Sequence, residues 1–331
     1  MRDHGGDLDR ARAAHGPGDW LDLSTGINAA PYPVGPLPPE AWRALPTRET
    51  LARLEAAARR AYGAAAETPC VALAGAQAAI QLVPRLAAPG AARVVTPTYN
   101  EHAGALEAQG WRVTPVATPE ALRGATLGVV VNPNNPDGRH WPPETLAAVA
   151  RDVGLLVVDE SFADTAPELS LIPNLGTQGG AGRIVVLRSF GKFFGLAGLR
   201  LGFALGDAAA VEQLRALAGP WAVSGPAAAL GTEALGDTGW QAATRARLAD
   251  DAQRLDRIAA RAGWRLVGGT ALFRTYDTGE TGETGGAAAA QARLATARIW
   301  SRAFPYSERW LRLGLPGDAA GWRRLGRALA P

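Results

Sequence analysis

Ile184-Val185-Val186-Leu187-Arg188-Ser189-Phe190-Gly191-Lys192 is the stretch from which the fold can be read. Four successive apolar residues, three of them β-branched, make a short strand without alternation, the pattern of a strand covered on both faces. The strand runs straight into a polar turn. The same pattern recurs on either side. Residues 71–74 lead into Gly75-Ala76-Gln77 and a helix through about Leu86, and residues 93–95 end at Thr96-Pro97. Residues 127–131 end in Asn132-Pro133-Asn134-Asn135-Pro136, residues 154–158 end at Asp159, and residues 201–204 form a further run. Helical spacing fills the intervals, and Leu51, Leu54, Ala58 and Ala61 set it ahead of the first strand. Strands alternating with helices in this way predict an α/β fold, a mostly parallel sheet sandwiched by helices. Gly75, Tyr99, Asn135, Asp159, Ser189 and Lys192 all fall just beyond strand carboxyl ends. In open α/β sheets that edge forms the ligand crevice.

The flanks read differently. Residues 1–40 are rich in Gly and Pro with little periodicity and suggest an N-terminal arm, leaving 41–216 as the large domain. From about Gly219-Pro220 the helices lengthen, with one over 238–262 and strands over 264–267 and 271–276. A smaller α+β domain is therefore expected at 217–331. Residues 277–286, a low-complexity Gly/Thr/Glu stretch, read as a surface loop.

Composition narrows the function classes. At 331 residues, 47% hydrophobic and 20% charged, the chain is long enough for two cores. A net charge of +3 without a basic block argues against nucleic acid as a partner. No apolar run reaches the length of a membrane span, and the first 12 residues lack a signal-peptide core. The single cysteine, Cys70, allows no internal disulfide, so the cytoplasm is the expected compartment. No metal site is expected.

Lys192 is the one lysine among 34 basic residues. A genome favouring arginine codons explains the missing lysines but not the survivor. Arginine substitutes for lysine as a surface charge, yet its guanidinium stays protonated and cannot form a Schiff base. Lys192 is thus the candidate for amine chemistry.

A pyridoxal 5′-phosphate site needs such an amine, a carboxylate at the pyridine nitrogen, an aromatic face, a donor to the phenolic oxygen and a phosphate cradle. Ser189-Phe190-Gly191-Lys192 with Arg200 eight residues on resembles the lysine segment of fold-type I aminotransferases, which implies that Ser189 and Arg200 bind phosphate. Val157-Val158-Asp159-Glu160 resembles the family's strand-end aspartate facing the pyridine nitrogen. The turn from Asn132 to Gly138 resembles its Asn-Pro turn, with Asn135 donating to the phenolic oxygen. Gly75, Ala76 and Gln77 open a helix whose amides attract phosphate, and Tyr99 fits the stacking aromatic.

The ends narrow the branch. Asp3-His4-Gly5-Gly6-Asp7 and the run from Leu21 to Asn28 resemble the threonine-phosphate decarboxylases of cobalamin biosynthesis, relatives of histidinol-phosphate aminotransferase. Arg302 and Trp310-Leu311-Arg312-Leu313 resemble the arginines that hold substrate phosphate and carboxylate, and two guanidinium forks suit a doubly anionic substrate. The resemblance implies decarboxylation of L-threonine O-3-phosphate to (R)-1-aminopropan-2-yl phosphate by a homodimer, with His4, Asn28, Arg302 and Arg312 binding substrate. Amino transfer, as in histidinol-phosphate aminotransferase, is the alternative. Three departures stand out. Leu45-Pro46 replaces a Tyr-Pro pair whose hydroxyl would reach a partner's phosphate, Asp137 replaces the turn's threonine, and the segment between Arg302 and Arg312 is shorter than in many relatives. The run from Asp159 to Asp164 resembles the decarboxylase branch, since aminotransferases of this group usually carry tyrosine where Phe162 stands. No Gly-x-Gly-x-x-Gly follows a strand, which argues against a dinucleotide-dependent dehydrogenase.

Overall fold

The computed structural model describes residues 4–175, 182–280 and 285–330. The chain divides into two compact units. The first comprises residues 1–31, 136–139 and 242–331, the second residues 32–135 and 140–241. In chain order the strands are β1 (Leu21–Asp22) in the first unit, then seven in the second. Those seven are β2 (Cys70–Leu73), β3 (Ala91–Val95), β4 (Arg112–Val116), β5 (Leu127–Val131), β6 (Leu156–Asp159), β7 (Ile184–Ser189) and β8 (Gly202–Gly206). The first unit then adds β9 (Arg265–Thr270), β10 (Phe273–Asp277), β11 (Ile299–Trp300), β12 (Arg302–Phe304) and β13 (Ser307–Gly314).

In the second unit all seven strands form one sheet in the order β2-β8-β7-β6-β5-β3-β4. Pairings from β7 through β4 are parallel, and β8 alone runs against its neighbours β2 and β7. The apolar runs read from sequence are these strands. Val129, Val157, Val185 and Leu187 are fully enclosed, and with Ile80, Leu106 and Leu214 from the covering helices they form one core. Each such side chain contributes roughly 1.5–3 kcal/mol of burial. Edge strand β4 was not legible as a strand, because most of its residues are exposed and Pro115 interrupts its donors.

Helix Arg48–Ala61 starts where the Thr47 hydroxyl accepts a hydrogen bond from the Thr50 amide, and it buries Leu54, Ala57 and Ala58. Helices Ala208–Ala218 and Gly225–Gly236 are capped in the same way by Asp207 and Ser224. The second unit continues to Gln241, past the division expected at 216/217, and ends inside the helix Thr238–Arg261.

The first unit has a four-stranded antiparallel sheet in the order β12-β13-β10-β9 and a parallel β1–β11 pair. Residues 4–31 belong to it and carry a helix and the strand β1. The Asp7 carboxylate accepts from the Arg10 amide to start the helix Leu8–His15, which buries Ala11 against Trp20, Ala295 and Trp300. Of the expected loop over 277–286, residues 281–284 lie outside the described residues.

Candidate active site

Parallel pairing puts the carboxyl ends of β2, β3, β5, β6 and β7 on one edge of the second unit's sheet, and the antiparallel β8 begins there. Leu73, Gly202 and Ser189 stand in one row across β2, β8 and β7, and Val131, Asp159 and Leu187 in another across β5, β6 and β7. Asp159 and Ser189 lie in these rows; Gly75, Ala76, Gln77, Asn135 and Lys192 follow the strand ends, with Tyr99 just after β3 and Arg200 just before β8. Strand pairing thus puts the residues expected to bind the cofactor at the carboxyl-end edge of the sheet.

Asp159 is only 2% exposed. Its Oδ2 lies 2.8 Å from His102 Nε2, while Oδ1 accepts from the Ser161 amide at 2.9 Å and hydroxyl at 2.5 Å. Burial alone would push this carboxyl up, but His102 and Ser161 favour the charged form more strongly and hold it below the usual carboxylate range. A buried, ionised carboxylate at a strand end can keep a ring nitrogen protonated.

Lys192 is half-buried in the short helix Phe190–Phe193, with Ser189 at its N-cap. Its Nζ lies 5.8 Å from the centre of the buried Phe162 ring. Phe190 stacks on Phe194 at 4.3 Å, and Phe194 stacks on Trp240 at 5.6 Å, so an aromatic column backs the lysine turn. Gly75 has φ +84°, where a side chain is strained, and a Cβ there would come within 2.8 Å of Arg200 Nη2. Arg200 is itself left-handed, and its Nη1 donates to the Ala197 carbonyl at 3.0 Å. Gly202 abuts the same turn, since a Cβ on it would fall 2.4 Å from the Ala76 nitrogen. The bare glycines bring the Ala76 amide and the Arg200 guanidinium close together without filling the space between them.

Tyr99 donates its hydroxyl to Gln77 Oε1 at 3.1 Å and presents its ring edge-on to His102 at 6.2 Å. In the Asn-Pro turn, Asn134 accepts from the Thr98 hydroxyl and donates to the Pro97 carbonyl, while Asn135 is partly exposed.

Sequence reasoning missed two groups. His102 was legible in principle, standing three residues after Tyr99 at the start of the helix Glu101–Ala108. The other is a buried ion network. Arg188 Nη1 meets Glu160 at 3.1 Å, and its Nη2 meets Asp164 at 2.8 Å. Burial raises the Glu160 carboxyl, opposed by Arg188, Ser170 and the Leu171 amide. Arg188 and Glu160 are the sequence neighbours of Ser189 and Asp159. Glu160, just past the end of β6, and Arg188 in β7 meet as a buried ion pair that ties the two site-bearing ends together.

The substrate residues expected from sequence all lie in the first unit. Arg302 and Arg312 are direct partners across β12 and β13. Arg312 is 6% exposed, donates to the Ser24 carbonyl at 2.6 Å and packs over Phe273 at 5.1 Å. Burial, then the neighbouring Arg302 charge, pulls Arg312 down to about 10, which leaves it cationic at neutral pH in a place that favours an anion. His4 and Arg302 line one cavity of about 230 Å³ with Ser24, Ser301 and Phe304. Asn28 is drawn elsewhere, since its Oδ1 accepts from Arg247 Nη2 at 2.8 Å and from the Ala30 amide at 3.1 Å. Among the described residues no His/Cys/Asp/Glu group could hold a metal ion, and no helix is long and apolar enough to cross a membrane.

The sheet, its ligand rim and the separate antiparallel sheet define a fold-type I aminotransferase fold. The profile of aminotransferase class I and II matches residues 39–329, and the chain belongs to that family. It is 44% identical to a threonine-phosphate decarboxylase of Sinorhizobium sp over 99% of this chain and 97% of that one. To the threonine-phosphate decarboxylase of Pseudomonas aeruginosa it is 43% identical over the same shares. Among solved structures, it resembles histidinol-phosphate aminotransferase from Sinorhizobium meliloti, crystallised with pyridoxal 5′-phosphate, at TM-score 0.80 and 24% identity over 99% and 94% of the two chains. It also resembles L-threonine-O-3-phosphate decarboxylase from Porphyromonas gingivalis at TM-score 0.75 and 16% identity over 93% and 98%.

Proposed function

We propose that this protein is a pyridoxal 5′-phosphate-dependent decarboxylase that converts L-threonine O-3-phosphate to (R)-1-aminopropan-2-yl phosphate for cobalamin biosynthesis. The observation that carries the reading is full-length similarity at 43–44% to two threonine-phosphate decarboxylases. By sequence, the histidinol-phosphate aminotransferase of Sodalis glossinidius aligns over 54% of the chain at 31% identity.

The rim fits the cofactor. The chain's one lysine is half-buried beside an apolar ring, the carboxylate at the end of the neighbouring strand β6 is held ionised, and the Gly75 turn keeps a side-chain-free space at Arg200. Lys192 would hold the aldehyde carbon, Asp159 the ring nitrogen, Tyr99 the ring face and Asn135 the phenolic oxygen. Ser189, Arg200 and the backbone of Gly75, Ala76 and Gln77 would hold the phosphate. Bound there, the cofactor supplies an electron sink for the pair left when the Cα–carboxylate bond breaks. Asp159, as an anion, keeps the proton on the ring nitrogen. The Lys192 amine, when free, would return a proton to Cα. Carbon dioxide leaves with the bond, so one proton taken up balances the reaction. Phe162 lines the lysine with hydrocarbon and offers no hydroxyl for a competing proton transfer.

Arg302 and His4 bind the substrate phosphate and Arg312 its carboxylate. Too strong a hold on the carboxylate would oppose its departure, so Arg312 orients the group more than it stabilises it. Arg302→Ala is expected to raise KM for the phosphorylated substrate about 10- to 100-fold with a smaller change in kcat, the range for losing a charged hydrogen bond. Steady-state kinetics check this, and an unchanged KM would remove Arg302 from the phosphate site.

The reaction type is tested by incubating the holoenzyme with L-threonine O-3-phosphate. Carbon dioxide release without keto-acid-dependent amino transfer is expected, and predominant amino transfer would overturn the decarboxylase reading.

A homodimer in the cytoplasm fits the same reading. In the second unit Trp42 is 69% exposed, and Leu45, Val34 and Trp221 also present large apolar surface to solvent. Exposed apolar side chains of this size are candidates for covering by a second copy. Light scattering is expected to give a dimer for the wild type and a monomer for a Trp42→Glu, Trp221→Glu double variant. A monomeric wild type would contradict the dimer.

A further inference from the structure

We propose that Gln77 and Glu101 are positioning residues for the Tyr99 ring, with Glu101 setting the direction of a hydrogen-bond relay that ends on the Tyr99 hydroxyl. The inference rests on the reading that Tyr99 supplies the cofactor's aromatic face.

Gln77 Nε2 donates to Glu101 Oε2 at 3.2 Å, and Gln77 Oε1 accepts from the Tyr99 hydroxyl at 3.1 Å. Gln81, one helical turn beyond Gln77, donates to the same carboxylate oxygen at 3.4 Å. Either end of a glutamine amide can face a tyrosine hydroxyl, because a hydroxyl both donates and accepts. A carboxylate only accepts, so Glu101 requires the NH₂ end of Gln77. That choice turns the carbonyl end towards Tyr99 and makes the hydroxyl the donor. Glu101 is buried, so little water competes for the arrangement.

The relay anchors the far end of the ring, and the edge-on contact with His102 fixes its side. His102 also holds Asp159. One short segment, residues 99–102, therefore orients the aromatic ring and contacts the Asp159 carboxylate. With its proton committed to Gln77, the Tyr99 hydroxyl is withdrawn from proton transfer, and its part is to hold the ring plane.

The test uses apoprotein titrated with pyridoxal 5′-phosphate, reading the dissociation constant and the circular dichroism induced in the cofactor's absorption band, which reports ring orientation. Tyr99→Phe and Glu101→Leu, which removes the acceptor, are each expected to weaken binding about 3- to 10-fold, the range for losing one hydrogen bond, and to diminish the induced signal. The double variant is expected to match Tyr99→Phe alone, because breaking the relay at its end leaves Glu101 nothing to transmit. Gln77→Leu breaks the relay in its middle and is expected to behave like Tyr99→Phe, which covers the case that Glu101→Leu does not fold. An unchanged constant and signal in Glu101→Leu, or losses that multiply in the double variant, would overturn the relay. Wild-type binding by Tyr99→Leu would instead overturn the stacking reading beneath it, and the relay with it.

Discussion

Lys192→Arg is expected to abolish turnover, by roughly 10⁴-fold or more, although it keeps the positive charge. The chain makes this substitution unusually diagnostic. Every other basic position already carries arginine, so an arginine in place of Lys192 changes no general property of the protein. What it removes is the one side-chain amine that can attack an aldehyde, since a guanidinium stays protonated at any working pH. Lys192 is half-buried beside Phe162, and its short helix is backed by Phe190, Phe194 and Trp240. The fold around it is therefore expected to tolerate the change, and thermal unfolding of the variant should stay close to wild type. Lys192→Ala, which removes the charge as well, is expected to be no more damaged in kcat than Lys192→Arg. A partly active Lys192→Arg would show that the charge matters rather than the amine.

Asp159→Asn is expected to lower kcat about 10²- to 10⁴-fold, the span of a lost proton-transfer or electrostatic contribution. The substitution keeps the shape and removes the charge. In the wild type, burial opposes that charge while His102 and the two Ser161 hydrogen bonds sustain it, and the outcome is an ionised carboxylate at neutral pH. An amide at 159 would offer a bound ring nitrogen no counter-charge and so would not support its protonation. The cofactor is still expected to attach to Lys192, so the loss falls on the chemical step. Ser161→Ala, which leaves the carboxylate and its His102 contact in place, is expected to cost far less. Measuring kcat and cofactor content side by side checks the pair, and an Asp159→Asn enzyme of near-normal kcat would remove Asp159 from the ring nitrogen.

Much of the second unit was legible because its strands are buried on both faces. Such strands appear as unbroken apolar runs, and the polar residue ending each run marks the ligand edge. That is why Gly75, Tyr99, Asn135, Asp159, Ser189 and Lys192 could be placed from spacing, and why Arg200, which precedes the antiparallel β8, reaches the same rim. Residues whose importance depends on cross-strand partners were harder to see. Glu160 and Arg188 look like ordinary charges until β6–β7 pairing brings them together as a buried ion pair. His102 has meaning only once Asp159 lies 2.8 Å away. The alignment of Arg302 with Arg312 depends on a tight β12–β13 hairpin that no strong turn signal announces. The division into compact units after Gln241 falls within a continuous helix, without the Gly or Pro that marks most boundaries, so sequence offers no signal for it.

The most direct measurement of the central claim is borohydride treatment of the purified protein with pyridoxal 5′-phosphate, followed by proteolysis and mass spectrometry. Besides the chain's amino terminus there is one primary amine to label. The expected result is a single stably attached cofactor on the peptide containing Lys192, absent from Lys192→Arg. Attachment at the amino terminus alone, or none at all, would contradict the account.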